Sequence, residues 1–230
     1  QWSHNRYRIY YPKTMGDAVW SMYDYNRGCC DNICYSGVAD IFRLPKFSLS
    51  FFRTQIAEGS MLPSGKMPYE VFIPAYRDEI LSDTVMVYGN VDEVELVLNG
   101  KTIRRQTADK GPDSDYISVP NGGNGKNLHF PPFTFYGVPK ERGVLKAVGY
   151  HQGKKVAEYT VKTPGVPERL DITYFESGKP ATKNDLLIVY VRMLDKQGVL
   201  CPVNGIPVEL SVQGGEIVGP TSYPLEAGVA

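Results

Sequence analysis

No stretch of this 230-residue chain is apolar for long enough to cross a membrane as a helix. Its apolar runs, Thr84 to Tyr88 among them, fall far short of the ~20 residues a span needs. Net charge is missing too: twenty-five basic residues balance twenty-five acidic ones, so no overall field draws the chain to nucleic acid or an anionic surface. Neither is expected as a partner. Cysteine is scarce: Cys29, Cys30 and Cys34 crowd together and Cys201 stands apart, which excludes a disulfide-dense scaffold. A structural zinc site needs four ligands, so these residues read as free thiols, with a link from Cys29 or Cys30 to Cys34 left open. The histidines, His4, His129 and His151, show no metal-binding spacing, and no G-x-S-x-G elbow offers a nucleophilic serine. No metal, no cofactor and no catalytic triad are expected. The start, Gln1-Trp2-Ser3-His4, has neither the basic nor the apolar region of a signal peptide, which suggests an excised piece of a longer protein.

What is plentiful is turn chemistry and aromatic surface. The 23 glycines, 17 prolines and 16 tyrosines exceed average usage and point to β-rich domains. Three textures follow one another. Residues 1–58 hold a short apolar strand, Asp17 to Met22, a polar loop, and a helix expected to start near Leu44-Pro45. That helix places Leu44, Phe47, Leu49, Phe51 and Phe52 on a broad apolar face.

Residues 59–164 change to a period of two. Thr84 to Tyr88, Val94 to Leu98, Thr102 to Arg105, Phe133 to Tyr136, Val144 to Gly149 and Val156 to Val161 read as strands. Asn99-Gly100 and Gln152-Gly153 read as hairpin turns, and Asp109 to Asn127 as a long loop. The set predicts an immunoglobulin-like β-sandwich. After a short stiff linker, Thr163 to Pro167, residues 165–230 carry a second set: Leu170 to Tyr174, Leu186 to Met193, Val208 to Val212 and Glu216 to Val218. This second β-sandwich is expected to be incomplete.

On a strand, Ala18, Trp20, Met22 and Asp24 share one face. Trp20 is then either a core residue or, at the mouth of a barrel, an apolar floor for the C–H face of a sugar ring. The pattern alone leaves both open.

The run Gly16-Asp17-Ala18-Val19-Trp20-Ser21-Met22-Tyr23-Asp24-Tyr25-Asn26-Arg27-Gly28 is followed by Ser36-Gly37-Val38-Ala39-Asp40-Ile41-Phe42-Arg43-Leu44-Pro45-Lys46 and an aromatic helix ending Phe51-Phe52-Arg53-Thr54-Gln55. Together these resemble the last strand and helix of the (β/α)₈ barrel of family 2 glycoside hydrolases. Ser82 to Tyr88, Val91 to Lys101, Pro131 to Phe135 and Gly143 to Tyr150 are similar to the immunoglobulin-like domain that follows that barrel. From Gly165 onward the chain resembles the next β-sandwich, so the likeness covers essentially the whole sequence.

The resemblance implies a mainly β chain with a βα remnant of the barrel. It also implies a parent enzyme acting on β-linked neutral sugars, β-galactosides first. Such retaining enzymes use two glutamates, about 5 Å apart, on earlier barrel strands. Neither is expected in this chain, which is expected to be inactive alone and to pair with the upstream barrel. Trp20 would form part of the sugar floor, with Asp24 and Asn26 positioning polar groups beside it. Where the glucuronidase branch carries an Asn-x-Lys pair before the matching glycine, Cys34 and Ser36 stand before Gly37, which disfavours glucuronate. Ser36 also replaces an asparagine that helps line a cation site in a galactosidase branch. The family's habit of degrading external glycans favours a periplasmic or secreted home. The rival readings are a carbohydrate-binding or adhesive module without catalysis, and a purely structural spacer.

Overall fold

The computed structural model describes residues 20–28, 33–75, 81–109, 128–174, 182 and 185–230. The chain forms two compact units, Gln1–Ala75 with Ser82–Val161, and Tyr76–Leu81 with Lys162–Ala230. It is mainly β, as its turn-rich sequence implies.

The first unit opens with an antiparallel pair, β1 (Tyr25–Asn26) and β2 (Ile33–Cys34), then helix α1 (Phe47–Arg53) and a small hairpin, β3 (Met61–Leu62) and β4 (Gly65–Lys66). Seven strands follow: β5 (Val71–Phe72), β6 (Val85–Gly89), β7 (Glu93–Leu98), β8 (Lys101–Thr107), β9 (Phe133–Phe135), β10 (Val144–His151) and β11 (Lys154–Lys162). They form a three-stranded sheet, β5-β6-β9, and a four-stranded sheet, β11-β10-β7-β8. This four-plus-three arrangement is that of an immunoglobulin-like sandwich.

Period-two alternation builds it. In β7, Val94, Leu96 and Leu98 point inward while Glu93, Glu95 and Val97 are partly exposed. The inward row meets Val85, Val87, Phe133 and Phe135 of the other sheet in one apolar core. Burying each such side chain stabilises the fold by ~1.5–3 kcal/mol. The hairpin joining β7 to β8 turns at Asn99 (φ 50°) and Gly100 (φ 80°), the paired positive φ of a type I′ turn. Gln152 (φ 49°) and Gly153 (φ 75°) repeat it between β10 and β11.

The helix starts later than the sequence suggested. Lys46, at φ −85° and ψ 166°, is still extended, and Pro45 is held in a bridge to Ala39. The aromatic face does form: the Phe51 ring meets Tyr88 edge-on at 4.9 Å, and Phe47 meets Phe72 at 5.6 Å. Arg53 forms an ion pair with Glu70. Gln55 donates to the Phe130 carbonyl at 2.9 Å and accepts from the Phe130 N–H at 3.2 Å. Asn90, 3% exposed, closes the seam: its amide donates to the carbonyls of Ile56 and Pro68 at 3.0 Å each and accepts from the Glu70 N–H at 2.6 Å.

The expected strand over Asp17 to Met22 differs. Asp17 to Val19 lie outside the described residues, and Trp20 to Met22 are not in a strand. Parallel pairing begins at Tyr23, bridged to Ala39. The expected loop Asp109 to Asn127 lies, except for Asp109, outside the described residues.

In the second unit β12 (Pro167–Tyr174) pairs with β13 (Val189–Asp195), and β14 (Pro207–Glu209) with β15 (Ser222–Pro224), all antiparallel. Val191, Val208 and Leu225 form its core. Glu216 to Val218, expected as a strand, is irregular, because the partner of β14 is supplied by Ser222–Pro224 instead.

Asp195, 4% exposed, organises a turn by accepting from the N–H groups of Gly165 at 2.7 Å and of Gln197 and Val199 at 2.8 Å each. Hydrogen bonds from the Gly165 and Val199 amides hold its carboxyl below the usual range. A depressed folded-state value means that its stabilisation is present above the unfolded value of about 3.9 and is lost as pH falls through the folded one. Asp195→Asn should therefore be less stable than the parent near neutrality, with the difference shrinking below about pH 4. Urea melts across pH check this, and a difference independent of pH would contradict it.

Candidate functional site

Trp20, Asp24 and Asn26 lie on one short stretch whose backbone is stitched to residues 36–39. The Val38 N–H donates to the Ser21 carbonyl at 3.2 Å, Ala39 to Met22 at 3.0 Å and Asp24 to Ala39 at 3.0 Å. The Trp20–Ser21 peptide is cis. So close an approach requires glycine at position 37, where a β-carbon would lie 2.3 Å from the Asp24 nitrogen and 2.4 Å from the Ala39 oxygen. Because these are backbone atoms, Gly37→Ala should displace the loop and destabilise it by about 2 kcal/mol, within the usual range for overpacking. Hydrogen exchange of the Val38 and Ala39 amides reads the change; unaltered protection would contradict the close approach.

The three residues have different fates. Trp20 is 73% exposed, standing edge-on to the Tyr25 ring with centroids 5.8 Å apart and planes at 87°. Asp24 is buried: its Oδ1 accepts from the Gly37 N–H at 2.8 Å and from Lys46 Nζ at 2.6 Å. The carboxylate thereby ties the Trp20 stretch to the entry of α1, and Lys46 also reaches the Tyr35 carbonyl at 3.3 Å. Asn26 is exposed, and its Oδ1 accepts from the Gly28 N–H at 2.8 Å, closing a local turn.

Beside Trp20 lies a face that sequence reasoning passed over. Tyr25 and Cys34 are direct cross-strand partners, which places their side chains on the same face. Arg27 Nε donates to the Tyr25 hydroxyl at 3.3 Å, a bond that holds the guanidinium pKa above its ordinary value. Cys34 Sγ and Ser36 Oγ are 3.4 Å apart. Hydrogen bonds with Ser36, then Tyr25, hold the thiol below its ordinary range. Cys34 and Cys201 are free thiols, while Cys29 and Cys30 lie outside the described residues. An open cavity of about 470 Å³ lies beside the loop, lined by Tyr35, Gly37, Lys46, Phe47, Phe51 and Tyr88 among others.

The carboxylates on the sandwich serve structure. Glu93 pairs with Arg105 at 2.5 Å, Glu95 accepts from Thr102 at 2.6 Å and Tyr150 at 2.7 Å, and Asp109 accepts from the Thr134 hydroxyl at 2.6 Å. Among the described residues no group of three or more His, Cys, Asp or Glu is placed to hold a metal ion, and no helix is long and apolar enough to cross a membrane. The arrangement offers an outward indole with a hydrogen-bonding rim, suited to a ring with one apolar and one polar aspect.

Residues 82–157 match a family described as "Domain of unknown function (DUF4982)". A β-galactosidase of Thermoanaerobacter pseudethanolicus is 33% identical over 233 residues, covering 94% of this chain and 29% of that protein. A β-galactosidase sequence of Rhizobium radiobacter is 31% identical over 101 residues, covering 44% of this chain and 72% of that sequence. The crystal structure of a glycosyl hydrolase family 2 member from Bacteroides cellulosilyticus superposes with a TM-score of 0.68 at 19% identity, over 99% of this chain and 32% of that one. The chain thus spans 29% and 30% of the first two curated relatives it matches.

Proposed function

The chain belongs to family 2 of the glycoside hydrolases, as a C-terminal portion, and from that premise we propose that it is the post-catalytic part of a retaining enzyme acting on β-galactosides. In this reading residues 1–58 close the barrel, 59–164 form the sandwich that buttresses it and 165–230 begin a further sandwich. The acid/base and nucleophile glutamates come from upstream of this chain. Trp20 forms part of the sugar floor, Asp24 acts through Gly37 and Lys46 to hold the loop in place, and Asn26 shapes the rim.

The observation that carries this reading is the pairing of an outward indole with a buried anchor. Trp20 is 73% exposed while Asp24, four positions on, is 5% exposed. An exposed aromatic over a braced loop suits the C–H face of a sugar. The β-galactosidase names of the relatives support the choice of sugar.

The test is hydrolysis of nitrophenyl β-galactoside and β-glucuronide by the full-length enzyme. Preference for the galactoside is expected, and preference for the glucuronide would overturn the assignment.

A further inference from the structure

The Trp20 indole is exposed, and among the described residues the one ring it meets is that of Tyr25, nearly perpendicular to it with centroids 5.8 Å apart. Tyr25 itself is half-buried and held from several sides. Its backbone pairs with Cys34 across β1 and β2. Its hydroxyl accepts from Arg27 Nε at 3.3 Å and is hydrogen-bonded to the Cys34 thiol. The preceding residue, Asp24, is buried and fixed by the Gly37 N–H and by Lys46.

We propose that Tyr25 is a positioning residue for the glycosidase site: its ring sets the plane of the Trp20 indole and so the orientation of the surface on which the sugar rests. The inference rests on the proposed role of Trp20 as sugar floor and deepens it, because it names the group through which the braced loop acts on that floor.

A sugar stacks through its C–H face, so an indole serves as a floor only when its own face is turned to the ligand. An exposed tryptophan otherwise exchanges among staggered rotamers, and freezing one of them on binding costs affinity. Perpendicular aromatic pairs are favourable at centroid separations of about 4.5–7 Å, a range that includes the 5.8 Å seen here. The contact therefore favours one orientation of the indole before the ligand arrives. Tyr25 can impose it because restraint reaches its backbone from Asp24 and its hydroxyl from Arg27 and Cys34.

The experiment is a double-mutant cycle in the full-length enzyme, read as kcat/KM on nitrophenyl β-galactoside with the melting temperature of each variant recorded alongside. Tyr25→Leu keeps apolar bulk on β1 but removes the ring, and should lower kcat/KM about fivefold, the scale of one aromatic pair. Tyr25→Phe keeps the ring contact and should retain most of the activity. In the Trp20→Ala background Tyr25→Leu should cost nothing further, because a residue that acts through Trp20 has nothing left to position. Tyr25→Met, with a longer and more flexible side chain, repeats the comparison where Tyr25→Leu lowers the melting temperature.

Full activity in Tyr25→Leu and Tyr25→Met, an equal loss in Tyr25→Phe, or the same loss with the Trp20 indole already removed would overturn the inference and leave the Trp20 reading standing. Unchanged kcat/KM in Trp20→Ala alone would overturn both.

Discussion

Trp20→Ala in the full-length enzyme should lower kcat/KM on nitrophenyl β-galactoside by roughly ten- to a hundredfold. Covering a large apolar side chain is worth about 1.5–3 kcal/mol, and each 1.4 kcal/mol is about tenfold. Trp20 is exposed, so its removal takes little packing from this unit, and the melting temperature should move little. Trp20→Phe should retain part of the activity because it keeps an aromatic face. An unchanged kcat/KM would remove Trp20 from the sugar site. A large loss of stability would return it to a packing role.

The second large effect is on stability. Asn90→Ala leaves the carbonyls of Ile56 and Pro68 and the N–H of Glu70 without the partners seen at 3.0, 3.0 and 2.6 Å. At about 1 kcal/mol net per hydrogen bond, the loss should be about 3 kcal/mol, read as a lower urea midpoint. Asn90→Asp should be at least as damaging, because it keeps the acceptor for Glu70, removes both donors and places a charge in a buried site. A loss below about 1 kcal/mol for Asn90→Ala would mean that water replaces the amide. The prediction matters for function because these bonds tie the segment after α1 to the sandwich, and α1 follows directly from the loop that holds Trp20.

The sandwich was readable because its signal is local. Glu93 to Leu98 alternates strictly and Asn99-Gly100 closes the turn, so the facing of β7 and its hairpin follow from neighbouring residues. The elements that escaped are those without a period. Two-residue strands such as β3, β4 and β5 carry too few positions to alternate. Ser222-Tyr223-Pro224 has little strand propensity and pairs only because Pro207–Glu209 lies opposite. The helix boundary shifted because Pro45 and Lys46 are held extended by bonds to residues 38–40.

The contacts of the candidate site were less legible than the sandwich. Trp20 could be singled out because its stretch resembles the last barrel strand of the family, yet the inward turn of Asp24 depends on Gly37 and Lys46, thirteen and twenty-two positions away. No pattern within the loop encodes that partnership. Tyr25 gave no signal because its place is set by facing Cys34 across β1 and β2.

The central claim is that this chain supplies the floor and frame of a glycosidase site whose reacting carboxylates come from upstream. Parallel assay of the 230-residue chain and of the full-length enzyme on nitrophenyl β-galactoside tests it most directly. Turnover by the full-length enzyme and none by the isolated chain is the expected result; hydrolysis by the isolated chain would contradict it.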